Sequence, residues 1–220
     1  MNKTWTRIVI VVIAAAAVAF WVFFDRQRAP ERQMDNALNA MPAWQVIKEQ
    51  EPALHQRILD QMAALQKAGE PEQQIIDTIQ PQILHLQMSR LQNAPDANVV
   101  NYMTINMEQT AAIQKVSDDA CFRFLYPMVK GGVNPMRMLD KDLMTRRMQA
   151  DADMMRAAYG KNRHTVTQAE REAAAEDVRP VMKALADKYG EDIQLLQTPE
   201  KAVGKEKLSC DMVQEMWAKV

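Results

Sequence analysis

The longest apolar stretch of the chain is 8–24, seventeen consecutive residues without a charge, a Gly or a Pro. A helix rises about 1.5 Å per residue, so this run and the preceding turn match the roughly 30 Å hydrocarbon core of a bilayer. The run therefore predicts a single transmembrane helix. We take as its anchoring residues Ile8, Val12, Val18, Trp21 and Phe24.

A cleaved secretory signal peptide is the alternative interpretation of the same run, because it also begins with basic residues and continues with apolar ones. The best small-x-small cleavage site is 17–19, and cutting there leaves the five bulky residues 20–24 as a new N-terminus. An uncleaved signal anchor is therefore favoured. Trp5 and Trp21 lie near its two ends, where aromatic residues are common at membrane interfaces.

The basic residues that flank the apolar run are nearly balanced, with Lys3 and Arg7 before it and Arg26, Arg28 and Arg32 after it. The charge bias that orients membrane helices is therefore weak. The short N-terminal tail and the cysteines discussed below favour an N-terminus inside the cell.

We therefore predict a protein of the bacterial inner membrane that crosses the bilayer once, with its C-terminal domain in the periplasm. The predicted division assigns 1–7 to a cytoplasmic tail, 8–24 to the signal anchor, 25–40 to a tether and 41–220 to a periplasmic domain.

Beyond residue 40, apolar residues recur every three or four positions, which is the spacing of amphipathic helices. A short helix is expected at 41–47. A helix over 51–68 should be stopped by Gly69 and followed by a second one that opens at Pro71, giving an antiparallel helical hairpin. Pro81 lies inside the second pattern and predicts a kink or a break.

Capping signals mark several helices in the second half of the chain. Ser117 is an expected N-cap, and Thr167 with Glu170 has the spacing of a capping box. A long helix is predicted from Asn134 to Tyr159, and it should lie centrally because its apolar residues form two stripes. Sustained alternation typical of strands is absent from the sequence. The predicted fold class is all-α, with one N-terminal transmembrane helix followed by a multi-helix, bundle-like soluble domain.

Composition narrows the class of function. The chain is 48% apolar and 25% charged, as in ordinary globular proteins, and about 190 residues beyond the anchor fit one domain. The net charge of −1 gives no long-range attraction to nucleic acid, so no nucleic-acid partner is expected. The adjacent glycines Gly131 and Gly132 lie at no strand–helix junction, so a phosphate-binding loop is not predicted either.

The chain has two cysteines, Cys121 and Cys210, each within a helical pattern. In an exported protein two cysteines indicate one disulfide, whereas in the cytosol they would be free thiols. Since the anchor predicts export, we expect the Cys121–Cys210 disulfide. The alternative is a pair of buried, unbonded cysteines that pack as small apolar residues.

Seventeen methionines are unusual for 220 residues, and several crowd the predicted central helix. Packing in an irregular helical core is the simplest explanation, because Met adapts to uneven gaps. An adaptable partner-binding surface is a second explanation. The residues we assign to it lie on one stripe: Met144, Met148, Met155 and Tyr159. Thioether coordination of Cu(I) is a third.

Catalysis is not expected from this sequence. His55, His85 and His164 are far apart, and only the first two could meet across the helical hairpin. No zinc-protease motif or nucleophile elbow is present, and the paired carboxylates have positions typical of helix caps or solvated faces. No metal site and no cofactor is predicted.

The predicted function is protein–protein binding next to the membrane, in assembly, maintenance or stress response of the envelope. The protein partner and the oligomeric state are not indicated by the sequence. Two other functions remain open: an inhibitor that protects against a toxin delivered to the periplasm, and a Met-rich copper-handling protein or an enzyme.

Overall fold

The computed structural model describes residues 31–220, except for the side chain of Asn162. The apolar run 8–24 and its anchoring residues lie outside this part of the chain. Within 31–220, none of the helices combines the length and the apolar character needed to cross a bilayer. The regular structure of the described residues is entirely helical, which confirms the all-α prediction.

Nine α-helices follow a helical stretch over 31–38 in the described part of the chain. In chain order they are α1 (Pro42–Gln50), α2 (Pro52–Ala68), α3 (Glu72–Leu91), α4 (Asp96–Val116), α5 (Asp118–Leu125), α6 (Pro127–Lys130), α7 (Lys141–Ala157), α8 (Gln168–Tyr189) and α9 (Glu206–Trp217). Short 3₁₀ segments occupy Pro135–Arg137, Gly160–Asn162, Gly190–Leu196 and Pro199–Ala202.

The first helices follow the local signals of the sequence closely. Gly69 ends α2 in the left-handed conformation at φ +73°, which glycine adopts without a steric penalty. Gln82 of α3 donates to Gln61 of α2 at 2.6 Å across the hairpin. Pro81 lies within the continuous α3, so it does not split the helix.

The prediction of one long helix from Asn134 to Tyr159 is wrong at its N-terminal end. The Asn134 side chain accepts a hydrogen bond from the Met136 amide and caps only a 3₁₀ turn. The Asp140 carboxylate then accepts from the Leu143 amide at 2.9 Å and starts α7 anew. Two N-cap residues six positions apart therefore divide the expected helix into a turn and a shorter helix.

The core consists of two main apolar clusters. The first cluster joins α1, α2, α3, α4 and α7, and its buried members include Trp44, Ile47, Ile58, Met154 and Met155. The second cluster joins the C-terminal half of α4 with α5 and α9, and its buried members include Ile113, Phe122, Leu195 and Met212. The helix α4 contributes to both clusters and so links the two ends of the domain.

The helix α7 packs against α1, α3 and α4, in agreement with the predicted central position. Met34 and Leu38 of the helical stretch 31–38 pack against the first cluster. From the sequence, the interval 25–40 is interpreted as a tether. Its described part, 31–40, thus contributes a structural element to the domain.

The helix α8 is bound to the domain mainly at its C-terminal end. It begins at the expected capping box, where the Thr167 side chain and Glu170 bond each other's backbone. Leu185 is its only buried residue, and every residue from 168 to 177 is exposed.

The loop between α6 and the first 3₁₀ turn packs closely against α3. The Gly132 amide donates to Asp77 Oδ1 at 2.9 Å, and Arg123 donates to the Gly132 carbonyl at 2.6 Å. A Cβ atom at Gly132 would lie 1.8 Å from Gln80 Oε1, so any other residue would require the Gln80 side chain to move.

The Cys121–Cys210 disulfide is formed and lies inside the second cluster, where both cysteines are fully buried. It joins α5 to α9 across a sequence separation of 89 residues. The last helix is therefore tied covalently to the middle of the chain.

Reduction of this disulfide should lower the free energy of unfolding by about 4–5 kcal/mol, because the bond restricts a long loop in the unfolded chain. Equilibrium urea unfolding with and without reductant measures the difference. In the control variant Cys121→Ala/Cys210→Ala, reductant should have no effect. Equal unfolding midpoints for the oxidised and the fully reduced protein would contradict the prediction.

Candidate functional site

The stretch 31–38 is held on the domain by a cluster of side chains around Asp35. Its carboxylate accepts hydrogen bonds from Trp44 Nε1 at 2.9 Å, from Lys48 Nζ at 2.5 Å and from His55 Nε2 at 2.9 Å. The Trp44 and His55 rings also contact each other, with centroids 4.6 Å apart. We call these four residues the Asp35 clasp.

Burial alone would raise the pKa of the Asp35 carboxyl, but the hydrogen bonds from Lys48, Trp44 and His55 outweigh it and hold the pKa at about 2. The ordinary value is 3.8, so the carboxylate remains charged at every physiological pH. The charged Asp35 carboxylate therefore links the start of the described chain to α1 and α2 across the physiological pH range.

A line of contacts leads from the clasp to the C-terminal end of α7. The His55 amide donates to the Glu51 carbonyl at 2.9 Å, and the Glu51 carboxylate accepts from Arg90 Nη2 at 2.5 Å. The Arg90 guanidinium carbon in turn lies 4.6 Å from the centroid of the Tyr159 ring. Tyr159 is 48% exposed, so this aromatic ring is held in place from beneath while its outer face meets solvent.

The contact between α4 and α7 contains a buried polar cluster centred on Arg147. Its guanidinium donates to Asp151 Oδ1 at 2.7 Å, to Asn106 Oδ1 at 2.7 Å and to Gln109 Oε1 at 3.1 Å. It also donates to the Tyr102 hydroxyl at 2.9 Å. The side chains of Arg147 and Asp151 are only 11% and 12% exposed.

Burial raises the pKa of the Asp151 carboxyl, and its pairing with Arg147 and a hydrogen bond from Gln87 only partly offset this effect. Burial likewise raises the pKa of the Tyr102 hydroxyl. Each acceptor on α4 bonds to Arg147, and the cluster therefore fixes the register of α4 against α7.

The four residues predicted for partner binding lie on α7 and just beyond it, and they differ in exposure. Tyr159 is exposed, and Met144 and Met148 are half-buried. Met155 is 1% exposed and belongs to the first cluster. Only the ends of the stripe therefore offer surface to another molecule.

Other methionines of this region serve the core. Met154 lies in the first cluster, and Met138 packs against the second. Met144 accepts a weak hydrogen bond from Gln109 Nε2 at 3.6 Å. Packing therefore accounts for several of the methionines that the sequence concentrates in 136–155.

The three histidines occupy different surroundings. His55 is buried in the Asp35 clasp, whereas His85 is exposed on α3. His164 lies 3.4 Å from Glu170, and its amide donates to the Asn93 carbonyl. Among residues 31–220, no three His, Cys, Asp or Glu side chains are grouped as a metal site would require.

An open depression of about 740 Å³, lined mainly by charged residues, lies between the N-terminal ends of α5 and α9. Lys130 bridges it by bonding Asp119 at 2.6 Å and Glu206 at 2.8 Å. The pKa of the Glu206 carboxyl is about 2 because of the Lys130 hydrogen bond and the backbone amides around it. Lys130 is thus shared between two carboxylates in an open depression, as expected of a solvated structural contact.

In the sequence, mixed-sign charges such as Arg147 and Asp151 are typical of a solvated, ion-paired surface, but the structure buries both side chains. Arg147 and Asp151 are four positions apart, which is the spacing of helical ion pairs, so a signal was present. The Asp35 clasp has no comparable signal, because its partners lie 9, 13 and 20 positions away.

Asp35→Asn should lower the free energy of unfolding at neutral pH by roughly 2 kcal/mol, since a pKa depressed by almost two units corresponds to that difference. Because the Asp35 pKa is lower in the folded protein, its carboxylate stabilises the fold fully at pH values above the unfolded pKa of about 3.8. This stabilisation is lost as the pH falls towards 2. The difference between the two proteins should therefore shrink between pH 4 and pH 2.

Urea unfolding across this pH range measures the effect. Asp153→Asn is the matched control, because Asp153 is exposed and accepts from only one side chain, Gln149. A difference between wild type and Asp35→Asn that stays constant from pH 7 to pH 2 would contradict the prediction.

Arg147→Met should cost about 3–5 kcal/mol of unfolding free energy, because it leaves the buried Asp151 carboxylate without its charged partner. The double variant Arg147→Met/Asp151→Leu should cost clearly less than the sum of the two single changes. Arg146→Met is the control on the same helix, since Arg146 is an exposed partner of Glu108 and Asp142 and should matter little. Additive costs in this double-mutant cycle would show that the pair is not coupled.

Comparison of the chain with models of protein families, with curated proteins and with solved structures finds no match. The inferences about its activity therefore rest on its own residues. The informative features are the apolar run 8–24, the Cys121–Cys210 disulfide, the Asp35 clasp and the exposed ring of Tyr159.

Proposed function

We propose that the chain is a single-pass protein of the bacterial inner membrane whose helical domain binds another envelope protein in the periplasm. The run 8–24 would be an uncleaved anchor, with 1–7 in the cytoplasm. The domain would act by binding rather than by catalysis, in assembly, maintenance or stress response of the envelope.

The observation that carries this proposal is the Cys121–Cys210 disulfide. Both sulfur atoms are buried in the second cluster, at the junction of α5 and α9. Disulfides persist in the periplasm and are rare in the reducing cytosol. The disulfide therefore favours the periplasm as the location of the domain. The apolar run would bring the domain there by export.

The attachment of 31–38 supports a position close to the bilayer. Phe24 ends the apolar run, and only six residues separate it from residue 31. Six extended residues span at most about 20 Å, so a domain that starts at residue 31 stays near the membrane surface. Binding there would benefit from the high local concentration that an anchor gives to envelope partners.

The surface that we assign to the protein partner is the N-terminal part of the stripe on α7, where Met144 and Met148 are half-buried. Flexible thioether side chains at a surface adapt to apolar groups of different shape. The polar cluster around Arg147 lies between α7 and α4, and it would hold this surface rigid during binding.

Two measurements on the full chain test the proposal. Alkaline phosphatase fused after the exposed residue Val220 should be active, and a fluorescent protein at the same site should be dark. A photo-crosslinking residue at Met148 should form an adduct with an envelope protein, while the same residue at the exposed control position Val203 should not.

The two outcomes are independent. A fluorescent fusion without phosphatase activity would contradict the predicted location. A correctly exported chain without an adduct specific to position 148 would contradict the assigned surface.

A further inference from the structure

A basic segment surrounds Tyr159 at the C-terminal end of α7. Arg156, Lys161 and Arg163 are all exposed. None of these three side chains makes an ion pair or a hydrogen bond with another residue in the described part of the chain. Two nearby cations do have charged partners: Arg90 is bonded to Glu51, and Arg147 is bonded to Asp151. We call the segment 156–163 the basic corner.

The basic corner combines unpaired positive charge with an exposed aromatic ring. Arg90 supports the Tyr159 ring from beneath at 4.6 Å, and the 3₁₀ turn Gly160–Asn162 holds the following residues close to it. The amide of His164 donates to the Asn93 carbonyl at 2.8 Å, so the end of the segment is fixed to the loop between α3 and α4. The three cations are thus displayed on a structured part of the surface.

The basic corner lies within reach of the bilayer that the proposed anchor would occupy. The line of contacts from Asp35 through His55, Glu51 and Arg90 ends at Tyr159. This line of contacts connects the basic corner with 31–38, the stretch that follows the apolar run in sequence. Since only six residues separate that stretch from Phe24, the clasp limits how far the corner can be from the membrane.

We propose that the basic corner binds anionic phospholipid headgroups of the membrane in which the chain is anchored, an inference that rests on the proposed function. Arg156, Lys161 and Arg163 attract the phosphate groups, and the Tyr159 ring lies at the interface, where aromatic side chains are favoured. The domain then has two attachments to the bilayer, its anchor and this corner. Tyr159 belongs to the lipid contact, while Met144 and Met148 remain for the protein partner.

The experiment places a fluorophore next to the corner in the full chain reconstituted into lipid nanodiscs. Thr165→Cys provides the attachment site, because Thr165 is exposed and the native cysteines are bonded to each other. The discs contain phosphatidylcholine alone or mixed with phosphatidylglycerol, together with a lipid that carries a quencher on its headgroup. Val203→Cys, at an exposed site near the second cluster, gives the reference label.

Quenching at position 165 should be about threefold stronger in the anionic discs than in the neutral ones, because each cation adds to the attraction of an anionic surface. It should fall to the neutral value in about 0.5 M salt, which screens charges beyond a few Å. The variant Arg156→Gln/Arg163→Gln should also lose the difference. The control Lys115→Gln/Lys201→Gln removes two other exposed cations that have no partner within 31–220, and it should keep the difference.

Size-exclusion chromatography distinguishes a failure of the proposed anchor from a failure of the proposed lipid contact. A chain that does not co-elute with the discs overturns the anchor and the lipid contact together. A chain that co-elutes but shows equal quenching at positions 165 and 203, or equal quenching in both lipids, overturns the lipid contact alone. In that case an acidic protein segment would be the better occupant of the basic corner.

Discussion

The buried guanidinium of Arg147 imposes the strictest constraint on this fold. A charge with so little access to water is tolerated only where its N–H groups find acceptors and an opposite charge lies nearby. Asp151 supplies the charge from the same helix, and α4 supplies the acceptors Asn106, Gln109 and Tyr102. Sliding α7 along α4 would break the bonds to Asn106, Gln109 and Tyr102 at once, so the polar cluster fixes how the two helices meet.

The rest of the domain is arranged on this pair of helices. The helix α4 enters the first cluster at Tyr102 and the second at Ile113, and the disulfide fastens α9 to α5 within the second. At the opposite end, the Asp35 clasp and the Glu51–Arg90 pair hold 31–38 and the end of α7 on the first cluster. The disulfide thus holds one end of the domain and polar contacts hold the other, while apolar packing fills the space between them.

This arrangement gives a physical reason for placing function at the ends of the stripe on α7. The part of α7 from Arg147 to Met155 is committed to the Arg147 cluster and, through Met154 and Met155, to the core. Residues at the two ends are exposed or half-buried, and they contact Gln109 of the Arg147 cluster at one end and Arg90 at the other. A rigid surface loses little conformational entropy on binding, which favours contacts with a protein or a lipid layer.

The sequence by itself determined the helical class, most helix boundaries and the disulfide, because these depend on local spacing, on caps such as Ser117 and Gly69, and on the count of two cysteines. The sequence predicted that α7 begins at Asn134, because Asn134 and Asp140 are both suitable N-cap residues. Only the structure shows that Asn134 caps a 3₁₀ turn and that Asp140 caps the helix. Tertiary structure alone decided the burial of Met155, the Asp35 clasp and the stacking of Tyr159 on Arg90. These features join residues that are distant in sequence, and neither periodicity nor capping encodes which distant side chains will meet.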